Sequence, residues 1–159
     1  MVTNLRDRAS LRCELAAEVV QNFGEARLQV TGASMLPTVW PGDVVFVQRR
    51  ALRELQPGQI LLAYRNGALI AHRIKSIAGD RLITQGDSLP HSDPPVTSSE
   101  LVGQVVSILR GGRDVPLKQS HWRRVLSAIL RRSDFCLRMT LRAGRRWHRL
   151  RNQELVWAR

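Results

Sequence analysis

Ser34 stands in the run Thr31-Gly32-Ala33-Ser34-Met35-Leu36-Pro37-Thr38, which is followed by Pro41-Gly42-Asp43 and the apolar stretch Val44-Val45-Phe46-Val47. A serine placed after a Gly-Ala pair, at the end of a strand and before a proline-restricted turn, has few side chains around it. Its hydroxyl can stand open, with backbone N–H groups aimed at a substrate carbonyl. The chemistry open to such a residue is nucleophilic attack on an acyl carbon. A serine hydroxyl is a poor nucleophile at neutral pH and needs a neighbouring base to take its proton. Lys75 and Lys118 are the chain's two lysines, so a lysine-dependent mechanism has only those candidates.

The pattern Gly32-x-Ser34-Met35-x-Pro37-Thr38, with Gly42-Asp43 downstream, resembles the nucleophile box of type I signal peptidases and the related LexA-type peptidases. Two further segments resemble the same superfamily in the same order. Ile70-Ala71-His72-Arg73-Ile74 is similar to its base-bearing strand. Gly86-Asp87 with Asp93, then Val102-Gly103-Gln104-Val105, is similar to its closing box and last core strand. Three ordered boxes spread over roughly residues 27–109 are far more specific than a lone G-x-S. The resemblance implies a mainly β fold, a signal peptidase/LexA-like antiparallel core. It also implies a serine endopeptidase that needs neither metal nor cofactor, acts on a peptide or protein substrate, and prefers small residues near the cleavage point.

Bacterial signal peptidases and LexA-type enzymes carry lysine at the strand position that His72 occupies. The endoplasmic-reticulum and archaeal type places histidine there, followed by arginine, which His72-Arg73 resembles. Imidazole suits the task, since its ordinary pKa of ~6.5 leaves it mostly neutral at pH 7, whereas a lysine must be desolvated to reach that state. Lys75 lies at an odd offset from His72, so unless a bulge intervenes it points to the other face of a strand. A carboxylate on the second ring nitrogen would orient the imidazole. Asp87 and Asp93 are the candidates, and the resemblance to histidine-type enzymes favours Asp93 as the third catalytic member, with Asp87 as a supporting group or alternative acid. Asp43 and Asp80 follow glycines and belong to turns, and His91 is expected on the surface. Many signal peptidases have a serine hydroxyl as second oxyanion donor where this chain has Gly32. The backbone N–H groups of Ser34 and Gly32 are left for that role, with Thr31 as a substitute donor. One missing donor can cost about 10²-fold or more in turnover.

These residues must be carried by strands. Residues 27–31, 43–49, 59–65, 68–78, 81–86 and 101–109 are Val-, Ile- and Leu-rich runs. They are punctuated by Pro41-Gly42, Pro57-Gly58, Asn66-Gly67 and Gly79-Asp80, of which Asn-Gly is the strongest hairpin signal. Residues 89–99 hold too many prolines and hydroxyls for either regular element and form a loop. Ahead of the strands, Leu5, Leu11, Leu15, Ala16, Val19, Val20 and Phe23 recur at three- and four-residue intervals, an amphipathic helix ended by Gly24. Beyond Gly111-Gly112, Trp122, Val125, Leu126, Ile129 and Leu130 repeat the apolar spacing of a helix among arginines. The expected organisation is a helix over 1–24, a peptidase core over 25–110 and a basic helical tail over 111–159.

The net charge of +12 is unevenly spread: residues 1–110 carry 12 Lys and Arg against 10 Asp and Glu, residues 111–159 carry 13 against 3. A basic amphipathic tail suits an anionic membrane surface, with nucleic acid a weaker electrostatic alternative and docking on the core the third. Cys13 and Cys136 have neither disulfide-framework nor metal-ligand spacing. No stretch approaches the ~20 apolar residues of a membrane span, and the charged opening residues do not suit a secretory signal. A cytoplasmic protein, peripheral at the inner membrane face, is expected. A LexA-type self-cleaving regulator is the alternative. The 33 residues before Ser34 are too few for a DNA-binding domain, although Ala78-Gly79 and Ala143-Gly144 are available as cleavage points. A non-catalytic binding module on the same fold is the third function considered.

Overall fold

The computed structural model describes residues 3–117, and the basic tail expected from the sequence lies outside the described residues. The chain opens with helix α1 (Thr3–Phe23). Gly24, at φ 83°, ends it, donating its N–H to the Val20 carbonyl, a backbone conformation that glycine adopts without a steric penalty. Seven strands follow: β1 (Glu25–Gln29), β2 (Val44–Gln48), β3 (Ile60–Arg65), β4 (Ala68–Ala78), β5 (Arg81–Gln85), β6 (Leu101–Arg110) and β7 (Arg113–Asp114). They form one antiparallel sheet in the order β1-β2-β6-β3-β4-β5, with β7 paired to β6. The mainly β architecture with an N-terminal helix is the one read from the sequence.

Strand β4 spans the residues expected of it, because both its ends are set by strong turns. Asn66 (φ 52°) and Gly67 (φ 76°) both occupy the left-handed region demanded by a tight hairpin. Gly79 begins the turn at its other end. Strand β1 is displaced from 27–31 to Glu25–Gln29, because Gly24 hands the chain straight from the helix to the sheet. Ser34 therefore lies five residues beyond β1, in a turn rather than at the strand's end. Strand β7 was not expected from the sequence. Gly111-Gly112 forms a hairpin back along β6, and Val115 N–H bonds Ile108 O.

The sheet is packed on both faces. Ile60 and Leu62 of β3 join Val45, Val47, Val105 and Ile108 in one cluster, which Ala17 and Val20 of α1 cover together with Met35 and Val39. Leu61 and Ala63, the alternate residues, face a second cluster with Ile74, Leu82, Val96 and Leu101. The same alternation governs β4. Leu61 pairs with His72 and Ile60 with Arg73 across the β3–β4 ladder, so these two neighbours on β4 serve opposite faces.

Candidate active site

The turn that carries Ser34 is built by clamps rather than by a strand. Thr38 N–H and Val39 N–H both bond Met35 O, and the Leu36-Pro37 peptide is cis. Met35, Leu36, Thr38 and Val39 are buried, while Ser34 is half-buried at the turn's start. The Ser34 carbonyl accepts from Ser88 N–H and Ser88 Oγ, each at 2.9 Å, and Ser88 Oγ also donates to Ala33 O. A Cβ on Gly86 would stand 2.6 Å from the Ser34 carbonyl oxygen, so this approach requires glycine.

Two ion pairs brace the same turn, one buried on both sides and one on its carboxylate side. Arg73 meets Asp87 through Nε–Oδ1 at 2.9 Å and Nη2–Oδ2 at 2.8 Å. Thr38 Oγ1 donates to Asp87 Oδ2 at 2.6 Å, and Arg73 Nη1 to Gly58 O at 2.7 Å. The Asp87 side chain is 1 % exposed and that of Arg73 8 %, so the pair lies where water contributes little solvation. Asp43 is likewise buried, paired twice with Arg110 and accepting from Trp40 N–H. Arg110 also caps Thr38 O and lies over the Trp40 ring. Asp43 is thus structural, as its place after Gly42 suggested. Asp80 and His91 are exposed.

On the other face of β4, His72 Nε2 lies 2.9 Å from Ser34 Oγ, and His72 Nδ1 lies 2.6 Å from Asp93 Oδ2. Thr84 Oγ1 donates to the same Asp93 oxygen at 2.6 Å, and Asp93 N–H bonds Thr84 O at 2.8 Å. Serine, imidazole and carboxylate are joined in one chain of hydrogen bonds. The two candidate aspartates are separated by their partners, Asp93 serving His72 and Asp87 serving Arg73 and Thr38. A bulge does interrupt β4 between Ile74 and Ser76 in its pairing with β5, and Lys75 sits exposed in it. The hydrogen-bond partner of Ser34 Oγ is nevertheless His72. Gly32 and Thr31 are exposed in front of the turn.

The loop bearing Asp93 has its own anchor. Arg65 grips Glu100 through Nε and Nη2 and reaches Pro94 O and Pro95 O. The Arg65 hydrogen bonds, then the Thr97 N–H, hold the Glu100 carboxyl down at about 2. The same pairing raises Arg65 above its ordinary value. Beside His72 and Asp93 opens a cavity of about 220 Å³ with apolar walls from Leu61, Ala63, Ile70 and Val96 and with Arg65 and Asn66 on its lining. Among the described residues no cluster of three or more His, Cys, Asp or Glu could hold a metal ion, and no helix is long and apolar enough to cross a membrane.

Sequence reasoning missed Thr84, Ser88 and Arg65. Their roles depend on cross-strand and loop neighbours, and single hydroxyls carry no spacing signal. Only the adjacency of Ser88 to Gly86-Asp87 could have drawn attention to it.

Residues 5–106 match the family model for Peptidase S24-like proteins. The chain belongs to that family. The match takes in most of α1, the Ser34 turn, β4 and the Asp93 loop, and so covers every residue of the hydrogen-bonded chain. No curated protein matches the sequence.

Proposed function

We propose that this S24-like chain is a serine endopeptidase in which Ser34 is the nucleophile, His72 the general base and Asp93 the residue that orients it. The observation that carries the reading is the continuous path Ser34 Oγ, His72 Nε2, His72 Nδ1, Asp93 Oδ2 at 2.9 and 2.6 Å, within the reach that proton transfer requires. As Ser34 Oγ bonds to the substrate's carbonyl carbon, its proton passes to His72 Nε2, and the carbonyl π electrons move onto oxygen. Backbone N–H groups at Ser34 and Gly32 are assigned to that oxyanion. The C–N bond then breaks and the amine leaves with the proton from His72. Water, deprotonated by the same nitrogen, hydrolyses the acyl-serine. Asp93 Oδ2 accepts from Nδ1–H throughout, fixing the tautomer that leaves Nε2 free to accept. Asp87 has the supporting role, holding Arg73 and Thr38.

Within the family, a histidine base followed by arginine favours a processing enzyme resembling the histidine-type signal peptidases over a self-cleaving regulator. The apolar cavity beside His72 suits a peptide substrate with an apolar side chain near the scissile bond. Attachment to an anionic surface through residues 111–159 belongs to the same reading.

A fluorophosphonate should acylate Ser34 stoichiometrically, located by peptide mass spectrometry, and Ser34→Ala should be unlabelled. Peptide cleavage should fall by at least ~10³-fold in both Ser34→Ala and His72→Ala, since nucleophile and base act as a unit. Labelling that survives in Ser34→Ala, or cleavage that survives in His72→Ala, would remove the assignment.

A further inference from the structure

Ser88 is 2 % exposed and directs both its donors at the two carbonyls on either side of the Ser34 α-carbon. Its N–H bonds Ser34 O at 2.9 Å, and its Oγ lies 2.9 Å from Ser34 O and 3.0 Å from Ala33 O. A hydroxyl has one proton to give, and Ser34 O already receives the Ser88 N–H. Ala33 O is therefore the acceptor that the hydroxyl adds. That carbonyl also accepts from Leu36 N–H at 3.2 Å, so neither oxygen would be left without a donor if the hydroxyl were removed. What the hydroxyl fixes is direction. The Ala33–Ser34 peptide is trans, and the C=O and N–H of a trans peptide point opposite ways. Drawing Ala33 O toward Ser88 turns Ser34 N–H away from it. Among the described residues that N–H has no acceptor, and Ser34 is only half-buried. Ser88 is itself held firmly. Leu89 N–H bonds Gly86 O at 3.1 Å, Gln85 Nε2 bonds Leu89 O at 2.7 Å, and the neighbouring Asp87 is fastened to Arg73 and Thr38.

We propose that Ser88 is a positioning residue, whose hydroxyl aims the Ser34 N–H at the oxygen that gains negative charge when a carbonyl is attacked. The inference rests on the reading of Ser34 as nucleophile. Thr84 and Asp93 act on the imidazole that takes the proton, whereas Ser88 acts at the other end of the reacting bond, on the carbonyl oxygen. Residue 32 is glycine and offers no side-chain donor, so the charge falls on backbone N–H groups, and how well they stabilise it depends on where they point. Because that charge exists only after attack, the contribution of Ser88 belongs to kcat and not to KM.

The test uses Ser88→Ala and Ser88→Cys in the full-length chain, the second keeping the volume of the buried site while offering only a weak donor. Both should lower kcat on a short peptide that the wild type cleaves by about 10- to 100-fold, at or below the cost of deleting an oxyanion donor outright, with KM within about twofold. The aldehyde of the same peptide, whose adduct with Ser34 Oγ places an oxygen where the oxyanion forms, should lose affinity by the same factor. The corresponding alcohol, which forms no adduct, should bind as it does to the wild type. The pH at which kcat/KM rises should not move, and Tm should stay within about 3 °C because no carbonyl is orphaned. An undiminished kcat in both variants would overturn the proposal. Aldehyde and alcohol affinities that fall together would overturn it by showing a site loosened as a whole, and a displaced pH limb would overturn it by showing action through His72. A wild type that takes no fluorophosphonate on Ser34 would overturn the nucleophile reading and this one with it, whereas a labelled wild type beside fully active Ser88 variants would overturn this one alone.

Discussion

Replacing Asp87 by Asn should damage the fold far more than replacing Asp93 by Asn, although both sit in the same closing segment. Asp87 receives two guanidinium hydrogen bonds and one from Thr38 in a site where its side chain is 1 % exposed. Asparagine keeps the shape and one acceptor but leaves the Arg73 charge buried and unpaired. Removing one partner of a buried pair costs about 3–5 kcal/mol. Part of this comes from Thr38, itself fully buried, whose hydroxyl loses a charged acceptor. Against a total stability of about 5–15 kcal/mol for a domain, that loss should lower Tm by roughly 6–20 °C for a chain of this size. Asp93 is 20 % exposed and its change should cost less than about 1–2 kcal/mol, while the loss of the correct imidazole tautomer drops turnover by about 10³–10⁴-fold. Thermal melts followed by circular dichroism, run beside peptide cleavage, read both quantities. Arg73→Met with Asp87→Leu, which removes both charges, should recover much of the lost stability. An Asp87→Asn variant that melts within about 3 °C of wild type, or a double variant no more stable than the single, would refute the burial argument. An Asp93→Asn variant with near-native turnover would refute the division of labour.

Thr84→Val, nearly isosteric, should keep the fold but lower kcat by about tenfold with little change in KM, because Asp93 loses the hydroxyl that fixes its Oδ2 against His72; Thr84→Ser should restore most of the rate in the same steady-state assay. The Arg65–Glu100 anchor should make stability pH-dependent. With Glu100 held at about 2 against an ordinary 4.5, its contribution is complete above pH 4.5 and is lost as pH falls through 2. The difference in urea midpoint between wild type and Glu100→Gln should therefore shrink across that window, and a difference constant with pH would contradict the pairing.

How much was legible in the sequence depends on where the signals lie. Strand β4 could be delimited because Asn66-Gly67 and Gly79-Asp80 bracket it and its apolar residues are dense. Strand β7 could not, since Arg113–Asp114 holds no apolar residue and exists only by pairing with β6. The positions of Ser34 and His72 were marked by their residue types and flanking boxes. Asp87 and Asp93 could not be told apart from local sequence, because what distinguishes them is Arg73 and Thr38 on one side and His72 and Thr84 on the other, all brought from elsewhere in the chain. The α1 periodicity gave a helix but not two apolar sides. Mixed three- and four-residue spacing merges Val20, which is buried, with Val19, which is not.

The adjacency of His72 and Arg73 on β4 has a consequence for the protein's biosynthesis. Imidazole and guanidinium face opposite sides of the sheet, so both the relay to Ser34 and the brace under its turn depend on a single pairing register with β3. A one-residue slip exchanges them: the guanidinium, which cannot accept a proton, faces the serine, and the imidazole faces Asp87. A mispaired chain therefore lacks the Ser34–His72–Asp93 hydrogen bonds on which the proposed chemistry rests. Under the proposed assignment, hydrolytic competence would arrive only with the final strand alignment.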